Sequence, residues 1–207
     1  MFKLYSRAGS GSLVVEAILE YVGVDYQLID VKRDENKRPP AEFLAINPLG
    51  QVPVLLLPDN SIMTESAAIT IYLADLFPAA NLAPGISSAL RAPYLRWLTF
   101  LAANIYMTDL EVYYPERHST DPKHAPSIKA AAVIQMAREW QVFADAVGAG
   151  PFLFGTEMTA VDVYAAMLVD WNVEVPVFFA KHANIKRLYD RVLEVPAFKK
   201  IWVRNGI

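Results

Sequence analysis

The sequence contains no cysteine. That excludes a disulfide framework, a thiolate nucleophile on the protein and any Cys-ligated zinc. Histidine is scarce, and His118, His124 and His182 show neither an HExxH pattern nor any other metal-ligand spacing, so no metal is expected. Excess positive charge is missing too: the formal net charge is −3, which leaves no electrostatic footprint for nucleic acid. Apolar runs are broken by charge or proline well short of a membrane span. Lys3 is followed by a polar Ser-Gly stretch instead of a long apolar core, so the start does not read as a signal peptide. The expectation is a soluble, cytoplasmic protein with neither membrane nor nucleic acid as partner.

What is present is enough for a well-packed globule. Over 207 residues, 54% are apolar and 12% aromatic, which rules out disorder. A chain of this length buries roughly 70% of its unfolded surface and needs no staples. Its two halves differ. Residues 1–76 alternate strand and helix patterns: strands at Phe2–Tyr5 and Tyr26–Asp30, a helix over Leu13–Val22, a short helix near Ala41–Ala45, a hairpin of Val54–Leu57 and Ser61–Met63 about Pro58-Asp59-Asn60, and a helix over Glu65–Leu76 with Ile69, Tyr72, Leu73 and Leu76 turned inward. The order is βαβ, α, ββα. Residues 77–85, with Pro78 and Pro84, read as a linker. From residue 86 to 207 no strand pattern is convincing, and prolines at 115, 122, 126, 151, 176 and 196 divide the segment into about five helices.

Four motifs carry chemistry. Gly9-Ser10-Gly11-Ser12 lies between the first strand and the first helix, where unpaired N–H groups and the helix dipole favour an anion. A dinucleotide fingerprint is tempting, since Asp30 ends the second strand, but Val14 stands where the third glycine belongs and too few strands follow. Either serine can also be a plain helix cap. In Asn47-Pro48-Leu49-Gly50-Gln51-Val52-Pro53-Val54, Pro53 enters a strand; a cis Val52–Pro53 bond would free the Val52 backbone to pair with an extended peptide, whereas a trans proline there would be purely structural. Thr64-Glu65-Ser66 opens a helix at which Ser66 can donate to a carboxylate and Glu65 can pair with an ammonium group, or the three can simply cap it. In Gly155–Asp162, Thr159 and Asp162 form a capping box that serves folding.

Jointly, in this order and spacing, these motifs resemble the cytosolic glutathione transferase superfamily along the whole chain. The likeness is strongest in FLAINPLGQVPVLLLPDNSIMTESAAITIYLADLFP (Phe43–Pro78) and in GTEMTAVD. It implies an α+β thioredoxin-like domain over 1–76 that binds glutathione, a linker over 77–85, and an all-α domain over 86–207 with the second-substrate pocket. By that resemblance Pro53 is the cis-proline, Val52 pairs through its backbone with the cysteinyl part of glutathione, and Glu65 and Ser66 hold the γ-glutamyl ammonium and carboxylate. Gln51 assists, and Lys37 or Arg38 reaches the glycyl carboxylate. Beta-class enzymes carry a cysteine in the first loop and zeta-class enzymes a Ser-Ser-Cys run; aligning on the helix puts Gly11 at the former and Gly9-Ser10-Gly11 at the latter. Disulfide-linked reductase chemistry by a protein cysteine is thereby excluded. The resemblance still allows a serine-type transferase, with Ser10 the better match at the sulfur and Ser12 the reserve. Tyr5 reads as strand core, although some classes of the family use a nearby tyrosine.

Tyr106, Tyr113, Tyr114 and Arg117 fall in a segment rich in large side chains and are candidates to line the pocket for a small hydrophobic electrophile, core or interface roles being the alternative for each. The family likeness also implies a homodimer. The competing functional readings are a module that binds glutathione or a protein without catalysis and, third, a nucleotide-dependent oxidoreductase.

Overall fold

The computed structural model describes residues 1–207. In β1 (Phe2–Ser6) alternate residues are buried, Phe2, Leu4 and Ser6 on one face, which is the period-2 signature of a strand packed on one side. The loop after it leads into α1 (Ser12–Val22), whose residues Ser12 to Leu19 are all buried. Then come β2 (Tyr26–Asp30), α2 (Ala41–Leu44), β3 (Val54–Leu56), β4 (Ile62–Met63) and α3 (Ser66–Leu76). The sheet order is β2-β1-β3-β4. β1 and β2 are parallel, as a crossover through α1 requires. β1 with β3 and β3 with β4 are antiparallel.

The expected order βαβ, α, ββα is the order found, with ends shifted by a residue or so. Two positions expected to turn inward are not in the core: Leu76 is 44% exposed and Tyr72 is only half-buried. The buried stripe of α3 is Ile69, Thr70, Leu73 and Ala74, and Tyr72 and Leu76 fall off that face. Tyr5 lies on Phe43, ring centroids 5.6 Å apart, beside a small core of Val31, Phe43, Val52 and Val54.

By internal packing the chain forms two units, Met1–Gly85 together with Leu193–Ile207, and Ile86–Val192. The expected boundaries at 76 and 86 assign the last residues to the helical half; the structure groups them with the sheet. The reason is the helix Pro196–Arg204, which packs against α1. In the second unit α4 (Arg91–Phe100) runs through a π-helical turn at Leu101–Ile105 into α5 (Tyr106–Tyr113). Two 3-10 turns precede α6 (Ala125–Val147), and α7 (Ala160–Val169), α8 (Val175–Lys181) and α9 (Ala183–Leu193) follow. The seventh helix after residue 86 is α10 (Pro196–Arg204), so there are more helices than the prolines alone suggest. Every residue of α7 is buried, and its N-terminus carries the expected Thr159/Asp162 capping box. No helix is long and apolar enough to cross a membrane.

Candidate functional site

Strand register brings the motifs of the first unit to one end of the sheet. β1 ends at Ser6, opposite Asp30 at the end of β2. Continuing the Tyr5↔Val54 register by one residue sets Ser6 opposite Pro53, and continuing Leu55↔Met63 by two sets Pro53 opposite Glu65. The Gly9–Ser12 loop, the Lys37–Arg38 loop, the Val52–Pro53 bend and the Glu65–Ser66 turn therefore all leave the sheet from the same edge of its strands.

At the bend, the Val52–Pro53 peptide is cis. The Val52 side chain is buried, while no hydrogen bond within the chain engages its amide. Asn47, itself buried, shapes the approach: its Nδ2 donates to the Gln51 carbonyl at 2.8 Å, its Oδ1 accepts from Leu49 N–H, and its carbonyl accepts from Gly50 N–H. Gly50 has φ +63, and a Cβ there would come 2.8 Å from Pro39 Cγ, so only glycine fits. Gln51 is exposed.

Glu65 is exposed and has φ 66, ψ 103, outside the comfortable regions for a side-chain-bearing residue. Such a conformation costs on the order of 1–3 kcal/mol and is concentrated at binding and catalytic sites. Ser66, half-buried, is the first residue of α3, where the helix dipole favours a negative group. Lys37 and Arg38 are exposed in a loop organised by Asp34, whose Oδ1 accepts from the Asn36 and Arg38 amides; Lys37 itself has φ 61.

The first loop is built on three buried serines. Ser12 Oγ lies 2.7 Å from Ser6 Oγ and 2.6 Å from Ser10 Oγ. Ser10 Oγ donates to the Arg7 carbonyl at 2.6 Å and accepts from Ser12 N–H at 3.3 Å. Ser10 is thus committed to the loop's own backbone, and Ser12 is the hub of the cluster.

Sequence reasoning missed the way this loop's helix is held. Glu16 is 1% exposed in the middle of α1, and Arg204 Nη1 of α10 donates to its Oε1. One turn along, Lys200 Nζ meets Glu20 Oε1 at 2.6 Å, and Phe198 stacks against Tyr21 at 4.9 Å. Burial, reinforced by Glu16, pushes the Tyr26 phenol up to about 12, so it stays a neutral hydrogen-bonding group. The signal was a lone acid inside the apolar run Leu13–Leu19; its partner lies too far along the chain for local pattern to find.

In the second unit Tyr106 meets Trp171 edge-on at 4.9 Å, the Tyr113 hydroxyl donates to the Trp171 carbonyl, and the Arg117 guanidinium lies 3.8 Å over the Tyr114 ring. Burial, and then Asp109, raise the Tyr113 phenol above its usual value. Asp109 and Glu139 are a second feature the pattern did not reveal. Both are buried, and Asp109 Oδ2 and Glu139 Oε2 have no hydrogen-bond partner. Burial and the Glu139 carboxyl lift Asp109 to about 8, so it carries its proton at neutral pH. Nowhere do three or more His, Asp or Glu side chains gather to hold a metal.

Comparison with known proteins fits this arrangement. Residues 12–76 match the N-terminal domain model of glutathione S-transferase, and residues 101–196 its C-terminal domain model. The uncharacterized GST-like protein YncG of Escherichia coli K12 is 34% identical over 209 residues, covering all of both chains. The chain belongs to the glutathione S-transferase family. Glutathione S-transferase GstA of E. coli O157:H7 is 29% identical over 99% of each chain. Among solved structures, a sphingomonad glutathione S-transferase complexed with glutathione is 25% identical over 99% of each chain, with a TM-score of 0.82. The fold is that of the family: a small mixed sheet with its helices, followed by a helical unit.

Proposed function

We propose that this glutathione S-transferase family member binds glutathione at the sheet edge described above, activates its thiol and directs it at a small apolar electrophile. The observation that carries the reading is the convergence of an unpaired Val52 amide, a Glu65 held at positive φ and Ser66 at a helix N-terminus on one end of the hairpin. An extended peptide with an amine and a carboxylate at one end matches that set. Val52 pairs with the cysteinyl backbone, Glu65 takes the γ-glutamyl ammonium and Ser66 its carboxylate. Pro53 shapes the bend, Gln51 assists, and Lys37 or Arg38 meets the glycyl carboxylate. That a sphingomonad glutathione S-transferase of the same fold is solved with glutathione bound supports glutathione as the ligand.

The thiol then lies by the first loop. A free thiol of pKa ~8.5 is about 3% ionised at pH 7. Lowering it by ~2 units raises that to roughly three-quarters, while nucleophilicity falls by close to tenfold, so the net gain is a few-fold. Most acceleration must come from positioning the electrophile. We assign that to a pocket in the helical unit lined by Tyr106, Tyr113, Tyr114 and Arg117, in a protein that works as a cytoplasmic homodimer.

One observation favours the runner-up, a glutathione-binding module without catalysis. Ser10 donates its hydroxyl to Arg7 and must break that bond to serve a thiolate. Conjugation of chlorodinitrobenzene separates the two readings. Removing the Ser10 hydroxyl takes away the hydrogen bond that would lower the thiol, so glutathione-dependent turnover that falls about three-fold at neutral pH in Ser10→Ala supports the enzyme. Glutathione binding with no turnover on this or other electrophiles contradicts it.

A further inference from the structure

The first loop is braced from inside by its serines, but its tip has no such support. Gly9 is exposed, has φ +67, and a Cβ placed on it would meet nothing within 4 Å. The hydrogen bond that reaches it comes from the other end of the chain: Gly9 N–H donates to Asn205 Oδ1 at 3.4 Å. Asn205 is itself fixed. It ends α10 with its amide donating to the Ile201 and Trp202 carbonyls, and its Nδ2 donates to the Ile201 carbonyl at 3.0 Å. α10 in turn is fastened to α1 by the Arg204–Glu16 and Lys200–Glu20 pairs. Loop and brace are thus both anchored on the same helix, so the distance between Gly9 and Asn205 is set by packing.

We propose that Asn205 is a positioning residue for the first loop, its carboxamide oxygen holding the Gly9 amide and so fixing the loop against which the glutathione thiol is set. The inference rests on the glutathione reading above. Asn205 touches no substrate; it acts through Gly9. The neighbouring peptide planes, which carry Ser10 and the α1 N-terminus, are then held in one orientation while the thiolate forms.

Two variants test it. Asn205→Ala removes the acceptor, and Asn205→Asp keeps an oxygen there while discarding the donor to Ile201. Amide hydrogen exchange at Gly9 in the ligand-free protein should rise about three- to tenfold in Asn205→Ala, as expected when a surface hydrogen bond is removed. In Asn205→Asp it should stay near wild type. The thiolate absorbance of bound glutathione, titrated against pH, should show its midpoint moved upward in Asn205→Ala and restored in Asn205→Asp, with affinity for glutathione changed less than about twofold. A role confined to ending α10 would affect both variants alike, because both lack the side-chain bond to the Ile201 carbonyl, and would leave the thiol titration in place. Unchanged Gly9 exchange in Asn205→Ala, or an Asn205→Asp variant no better than alanine, overturns the inference. Failure of wild type to bind glutathione overturns the reading beneath it, and the exchange result then still decides whether the tether exists.

Discussion

The two units bury carboxyl groups in opposite ways. In the sheet-bearing unit Glu16 sits at the centre of a wholly buried stretch of α1 and is met by the guanidinium of Arg204. In the helical unit Asp109 and Glu139 are almost as deeply buried, yet the side chain that reaches the pair is the neutral Gln135, whose Nε2 donates to Glu139 at 2.9 Å and to Thr108 at 3.3 Å. A buried charge must be paired or must neutralise itself. The first unit takes the former course and thereby acquires a C-terminal helix fastened behind its candidate site. The second takes the latter, and holds a proton between α5 and α6. Asp162 is a third case: burial raises it to about 6 even though Leu153 N–H, Thr159 N–H and the Thr159 hydroxyl all donate to it.

Removing Arg204 breaks the comparison directly. Arg204→Ala strands the Glu16 carboxylate among apolar side chains, at a cost of about 2 kcal/mol, below the usual range for buried pairs because the arginine is 41% exposed. Urea unfolding measures it. Adding Glu16→Leu should recover at least half of that stability, since an apolar pair needs no counter-charge. Lys200→Ala, which breaks the outer pair, should cost less than about 0.5 kcal/mol because that lysine is 56% exposed.

Asp109 gives an effect of opposite sign. In the unfolded chain its carboxyl ionises near 3.8, in the folded protein near 8. Between those values the folded state holds a proton that the unfolded state releases, so stability is greatest below the window, declines as pH rises through it and levels off above about 8. Asp109→Asn removes that slope. The stability of the variant relative to wild type should therefore rise by up to about 3–4 kcal/mol between pH 5 and pH 8, in paired urea titrations. A variant whose advantage does not grow with pH would show that Asp109 is ionised throughout.

Much of the first unit is legible in sequence because its elements are short and their periods clean. The alternation at Phe2–Ser6 and the Pro-Asp-Asn turn there, like the Thr159/Asp162 box of the second unit, each depend on neighbours a few residues apart. Each of the three binding motifs is weak alone, and it is the strand register that sets them side by side. What local pattern cannot supply are pairings across the chain: Arg204 with Glu16, Asn205 with Gly9, Asp109 with Glu139. Asn47 shows the limit from the other side. Its sequence context marks a motif, but that its side chain holds the bend before Val52 depends on a turn geometry many Asn-Pro segments do not adopt. The hydroxyl of Ser10 is a similar case, since sequence identifies the residue and only the loop's fold shows where its proton goes.

The most direct test of the account is calorimetric titration of glutathione into wild type and Ser66→Ala. The account predicts micromolar-to-millimolar binding to wild type, weakened roughly tenfold in the variant, as expected for a charge-assisted hydrogen bond at a helix N-terminus. Absence of binding to wild type, or equal binding by the two proteins, would contradict the placement of glutathione on this edge of the sheet.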